Sequence, residues 1–188
     1  MSDIHDFEAL TRYAKSFTGL TAEREACLLD VSAQLKPMLG AVTDEFYARL
    51  SKIPETAPYL EGRLESLKKS HLAWIESLFT GPFDINCTEL MYKVGDIHVK
   101  VNLPVEFMAG AMSMINNELI SLVINEFSDD KEKMTLVLSS INSITSFSLF
   151  VMQQSYQEST VAEELDKFLK ISGMSRVLFT NLANAYEN

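Results

Sequence analysis

Glycine and proline are scarce in this chain, with seven glycines and five prolines among 188 residues. Sandwiches and barrels turn often and use more of both, so the shortage points to helices. Cys27 and Cys87 stand alone, without CxxC spacing, which removes a disulfide framework and a zinc knuckle and suits a reducing compartment. Basic residues are outnumbered, 16 against 26 acids, for a formal charge of −10. Nucleic acids and anionic membrane surfaces are bound through Lys and Arg, so neither is an expected partner. No uninterrupted apolar run approaches the roughly 18 residues needed to cross a bilayer. The N-terminus carries acids where a signal peptide begins with bases, and a cytoplasmic protein is expected.

Histidine is equally sparse: His5, His71 and His98 are the only three. HExxH, P-loop and GxSxG patterns are missing, so zinc hydrolysis, nucleotide hydrolysis and Ser–His–Asp chemistry have little material. The neighbouring acids Asp129-Asp130 and Glu163-Glu164 point in different directions on a helix and read as caps and surface groups. No enzymatic turnover is expected of this chain.

Apolar residues make up 47% of the chain, enough to bury a core, and their spacing is helical nearly throughout. A short helix is expected from Asp6 to Ser16, and a second after Thr21 carrying Cys27, Leu28, Val31 and Leu35. Pro37 suits a first helical turn, before Val42, Phe46, Leu50 and Ile53. Leu60 to Phe79 reads as one long helix with the stripe Leu64, Leu67, Trp74 and Leu78, stopped by Gly81-Pro82. Helices follow over Thr88 to Val99, from Pro104 to about Phe127, and from Lys131 to about Gln157, with Asn102 as a left-handed C-cap between the first two. The last of these is apolar on more than one face, as in a helix with two burial partners, one of them a second subunit. Residues 160–188 have a different texture, with Ile171, Met174, Leu178, Leu182 and Ala185 in steps of three and four, as in a helix that pairs with another. The chain ends without a stop signal and reads as part of something longer.

His98 lies near the end of its helix, beside the face of Val94, Ile97 and Val101. On pattern alone it is first an ordinary half-buried histidine. Iron ligation by one imidazole in an apolar pocket needs little more, so the pattern permits a haem without demanding one. The run Val94-Gly95-Asp96-Ile97-His98-Val99-Lys100-Val101, followed by Leu103-Pro104 and Gly110-Ala111, resembles the proximal stretch of globin-coupled sensors and protoglobins. Trp74-Ile75-Glu76-Ser77-Leu78-Phe79-Thr80-Gly81 resembles the end of that family's distal helix, and Phe46-Tyr47 its Phe-Tyr pair. Ile141-Asn142-Ser143-Ile144 resembles members that drive diguanylate cyclases, and the likeness spans roughly residues 20–155.

The resemblance implies an all-α globin fold with an extra N-terminal helix, dimerising through its last two long helices. It implies residues 1–158 as a sensor globin domain and 159–188 as the start of a signalling helix. The cofactor implied is haem b, with His98 as the iron ligand and Tyr47 as the distal donor to O2, and with CO and NO as further gases. A hydrogen bond to a charged acceptor is worth about 1.5–3 kcal/mol, and CO gathers less charge than O2. Without the resemblance Tyr47 reads as a half-buried aromatic with its hydroxyl at the surface.

Leu67 and Ser70 occupy the family's second-line distal positions, and Phe46, Leu78, Val94 and Met108 are implied apolar contacts of the haem. Leu67 is equally a core residue, and a serine can equally bond its own helix turn. Some members carry Tyr where Met108 stands, so a polar proximal contact is expected to be missing. His71, about 100° round the helix from Ser70, is expected at the surface, with a six-coordinate haem as the minor alternative. The function implied is a haem-based O2 sensor controlling a linked diguanylate cyclase, histidine kinase or chemotaxis transducer. The rival is a haem-free globin-fold adaptor in stress signalling.

Overall fold

The computed structural model describes residues 6–186, which form nine α-helices and, among those residues, no strand. His5, Glu187 and Asn188 lie outside the described residues. The helices are α1 (Phe7–Thr18), α2 (Ala22–Leu35), α3 (Leu39–Leu50), α4 (Ala57–Leu60), α5 (Leu64–Ser77), α6 (Ile85–Lys100), α7 (Val105–Glu126), α8 (Lys131–Ser172) and α9 (Arg176–Tyr186). Short 3-10 turns at Lys36–Met38 and Pro54–Thr56 precede α3 and α4, each with proline in its first turn.

Local chemistry sets most boundaries. Asp6, Thr21, Asp84 and Asp130 each accept a backbone N–H at the head of their helix. Asn102 takes the expected left-handed conformation, φ 53°, and Pro104 immediately precedes α7.

Two boundaries differ from expectation. The stretch from Leu60 to Phe79 is not one helix: Gly62 adopts φ 70°, a conformation that ends α4 and sets a new start at Leu64. The last long helix does not end near Gln157. It runs unbroken to Ser172, because nothing between Ser155 and Ser172 breaks a helix, and it stops at Gly173, φ 70°.

α8 is the spine. It packs against α6, α7, α2 and α1, while α3 packs against both α5 and α7. Its buried side carries Val137, Ile141, Ile144, Phe147 and Val151 interleaved with Ser140, Ser143, Thr145 and Ser148. The small hydroxyls let neighbours approach closely. Ser140, Thr145 and Ser148 donate to carbonyls one turn back, so no donor is stranded. By length and composition α7 and α8 could each cross a bilayer, although neither contains a long uninterrupted apolar run. Both serve here as packed helices of the fold, α8 more deeply than α7.

Beyond Ser155 burial falls away. α9 folds back on the end of α8 through a Phe168–Phe179 edge contact, centroids 6.3 Å apart, and an Arg176–Asp166 ion pair.

Candidate functional site

The site is built on three helices that approach from different sides. α3 presents Phe46 and Tyr47, both almost wholly buried. α5 presents Leu67, His71 and Trp74, and α6 presents Val94 and His98, all half-buried. α5 is held by α3, and α6 by α8 and α1; the backbones of α5 and α6 barely touch. The two imidazoles nevertheless sense each other: a charge on His98 would oppose one on His71. His71 and His98 are thus half-buried neighbours carried by helices that scarcely meet.

His71 departs from the expectation drawn from spacing. That expectation puts His71 at the surface and Ser70 inward, and the structure has the reverse. Ser70 is exposed and donates to Ser66 O at 3.0 Å, the ordinary bond of a serine to its own helix. His71 faces in, with Phe46 and Tyr47 ring centroids each 5.3 Å away and Trp74 at 6.0 Å. The signal is present in the spacing: Leu64, Leu67, His71, Trp74 and Leu78 step by three and four along one face.

Tyr47 Oη lies 3.1 Å from His71 Nδ1. Burial pushes the phenol's pKa up and keeps it protonated. Burial, with the charge of His98 second, lowers His71 to about 4, so the ring is neutral near pH 7. Burial also lowers the pKa of His98.

His98 Nδ1 lies 3.1 Å from Met108 Sδ. Met108, at the position where some members carry Tyr, therefore gives His98 a thioether partner. A thioether accepts and cannot donate, so Nδ1 must carry the proton. That leaves Nε2 with its lone pair, and neither imidazole Nε2 has a hydrogen-bond partner among the described residues. Neutral imidazole with Nδ1–H held by protein and Nε2 bare is the form that ligates a metal. The residues present therefore fit haem iron, whereas among the described residues no cluster of three His, Cys, Asp or Glu could hold a bare ion.

The apolar lining is divided. Phe46, Leu78 and Met108 are buried, while Leu67 and Val94 are half-buried. The stripe expected to bury beside His98 is turned outward: Ile97 is 55% exposed and Val101 37%. The face of α6 that buries is Met91, Tyr92, Gly95 and Val99, against α8. The reason is space. A Cβ on Gly95 would come within 2.5 Å of Met152 O, so α6 meets α8 through its glycine, and Val94 and His98 are left half-buried.

The chain matches the protoglobin family over residues 7–161. It belongs to that family. Among solved structures, the globin domain of the Geobacter sulfurreducens globin-coupled sensor is 28% identical, with a TM-score of 0.72 over 77% of this chain and 96% of that one. The globin domain of E. coli DosC in its ferric form is 19% identical, with a TM-score of 0.63 over 78% of this chain and 99% of that one. Its ferrous form is 21% identical, with a TM-score of 0.62 over 76% and 99%. The fold is thus the globin fold, with α1 as the additional N-terminal helix. No curated protein sequence is similar to the chain.

Proposed function

We propose that this protoglobin chain is a haem-based gas-sensing domain, with His98 as the proximal iron ligand and Tyr47 as the distal hydrogen-bond donor. The observation that carries this reading is His98 itself: a neutral imidazole, its Nδ1 proton on an acceptor-only sulfur, its Nε2 free, with a second inward imidazole near it on a helix that barely touches its own. Membership of the family supports it, as does the 28% identity to a globin domain taken from a sensor.

Haem b supplies an iron centre that takes a diatomic gas, with O2 the gas intended and CO and NO as others that fit. The protein's residues do the rest. His98 holds the iron, and Met108 fixes the ring and its tautomer. Phe46, Leu67, Leu78 and Val94 form apolar walls that keep water out. Tyr47 donates its proton to a ligand that carries partial negative charge, worth about 1.5–3 kcal/mol or roughly 10- to 150-fold in affinity. O2 draws more charge than CO, so the phenol favours O2. Ser70, already committed to Ser66, takes no part, and its position near Tyr47 passes to His71.

The placement of His71 favours a second coordination state. A phenol hydroxyl can donate or accept. When Tyr47 donates to the gas, His71 must donate Nδ1–H to the phenol oxygen, which leaves His71 Nε2 with a lone pair. The same tautomer would let His71 hold the iron through Nε2 in the absence of gas.

The sensor domain ends near residue 158, and the rest of α8 and α9 carry the signal onward to a linked output module such as a diguanylate cyclase, histidine kinase or chemotaxis transducer. The chain itself performs no turnover and acts in the cytoplasm as a homodimer. α7 and α8 supply the dimer face. The outer side of α7 carries exposed Ser113, Asn117, Ile120 and Ile124 without a charge, although the chain as a whole is strongly acidic.

The absorption spectrum of the purified protein tests the reading in the ferric, ferrous, O2 and CO states. A Soret band at about 400–430 nm that shifts with each gas is expected of a haem site. A colourless protein after reconstitution leaves the haem-free adaptor.

A further inference from the structure

One turn of α8, Ser155 to Ser159, is committed almost entirely to the helix that bears His98. Asp96 on α6 accepts from Ser155 Oγ at 2.6 Å and from Ser159 Oγ at 2.7 Å. Tyr92, one turn earlier on α6, donates to Glu158 Oε2 at 2.6 Å, and Gln154 holds the other oxygen of that carboxylate at 2.7 Å. Tyr156 donates to Leu103 O at 2.9 Å, in the turn where Leu103 N bonds His98 O. Gly95 brings the two backbones together at the same level, with no room for a Cβ.

These polar contacts add to an apolar grip that the globin body already has on α8. The body already holds α8 through Val137, Ile141, Ile144, Phe147 and Val151, all upstream. The polar contacts fall where burial of α8 ends and its continuation toward Ser172 begins. Hydroxyl donors on a carboxylate make short, directional bonds, stronger than bonds between neutral groups. They fix both the rotation and the axial position of α8 relative to α6, which apolar packing alone fixes loosely. Asp96 is two residues from His98, so the two side chains project about 200° apart on α6. One side of the helix carries His98 and the other grips α8.

We infer that Asp96 with Ser155 and Ser159 is a mechanical latch, by which a displacement of His98 on gas binding is passed through α6 to the C-terminal continuation of α8. The inference rests on His98 as the iron ligand and names the route by which that site reaches residues 161–186. The three residues are positioning residues and do not touch the haem. An alternative route through α7 would leave the latch without a role in signalling.

Hydrogen–deuterium exchange of amides 161–186 in the haem-loaded chain, ferrous without gas and ferrous with CO, provides the test. In the wild type, CO is expected to change exchange there by about fivefold or more, the lower end of ordinary coupling between sites. The double variant Ser155→Ala/Ser159→Ala is expected to keep the wild-type ferrous and CO spectra and to lose most of that difference. Because Ser155 is buried, Ser159→Ala alone is the second variant and is expected to lose part of it. Intact spectra with an undiminished CO effect in either variant would overturn the latch alone. No CO effect in the wild-type segment would also overturn it. A wild-type chain without a haem spectrum would overturn the sensor reading and the latch together, and the spectra tell these cases apart.

Discussion

The two inward histidines are alike in burial and differ in what holds them. His98 rests on a thioether and His71 on a phenol. A thioether offers lone pairs only, so the proton of His98 has one place to be. A phenol offers a proton and lone pairs, so His71 and Tyr47 have two arrangements of similar geometry. With the roles proposed above, the proximal side would be fixed and the distal side convertible: one permanent ligand and one replaceable contact.

The comparison breaks most completely at His98. His98→Ala is expected to abolish stoichiometric haem uptake while the helical circular dichroism is retained; retention of a wild-type Soret band would mean that His71 or another group holds the iron. Tyr47→Phe comes next. It should speed O2 dissociation about tenfold, the low end for a hydrogen bond to charge, and barely alter CO. Flash photolysis and stopped-flow measurements read both rates, and equal effects on the two gases would remove the phenol from the distal role.

His71→Leu tests the convertible side in two ways. A six-coordinate ferrous spectrum should become five-coordinate. The haem-free chain should also lose part of its acid sensitivity. The pKa of His71 is lowered from 6.5 to about 4 by burial first and the charge of His98 second. The folded state therefore binds fewer protons than the unfolded state in that window, and stability rises with pH. The contribution of neutral His71 is fully present above about pH 6.5 and is lost as pH falls toward 4, by at most about 3 kcal/mol. Urea melts at pH 5 and 7.5 should show a smaller gap in His71→Leu than in the wild type. An unchanged gap would place the sensitivity elsewhere.

The smallest effect is expected at Met108→Leu. The volume is nearly kept and one weak acceptor is lost, so stability should move by less than about 1 kcal/mol. The iron–histidine stretching band in the ferrous resonance Raman spectrum should shift, since the ring of His98 loses its anchor. No shift would show that another group orients the imidazole.

Much of the fold obeys local rules. The helix heads at Thr21, Asp84 and Asp130 follow from one residue and the backbone donors beside it. Asn102 follows from its tolerance of positive φ. His98 and Tyr47 are singled out by the family resemblance of the residues around them and not by pattern alone. His71 is less legible, because Ser70 competes with it for the inward position. The choice between them turns on about 100° of helix rotation, and the full stripe from Leu64 to Leu78 favours His71. The outward turn of Ile97 and Val101 has no local signal, since it depends on α6 docking through Gly95.

What the sequence determined by itself was the helical class and most of the caps, because each depends on contacts within about one helical turn. Tertiary structure alone decided which sulfur meets His98 Nδ1, where α8 grips α6, and that Ile97 and Val101 turn outward. Those outcomes depend on partners on other helices, 10 to 63 residues away, and no local spacing contains the distance between them.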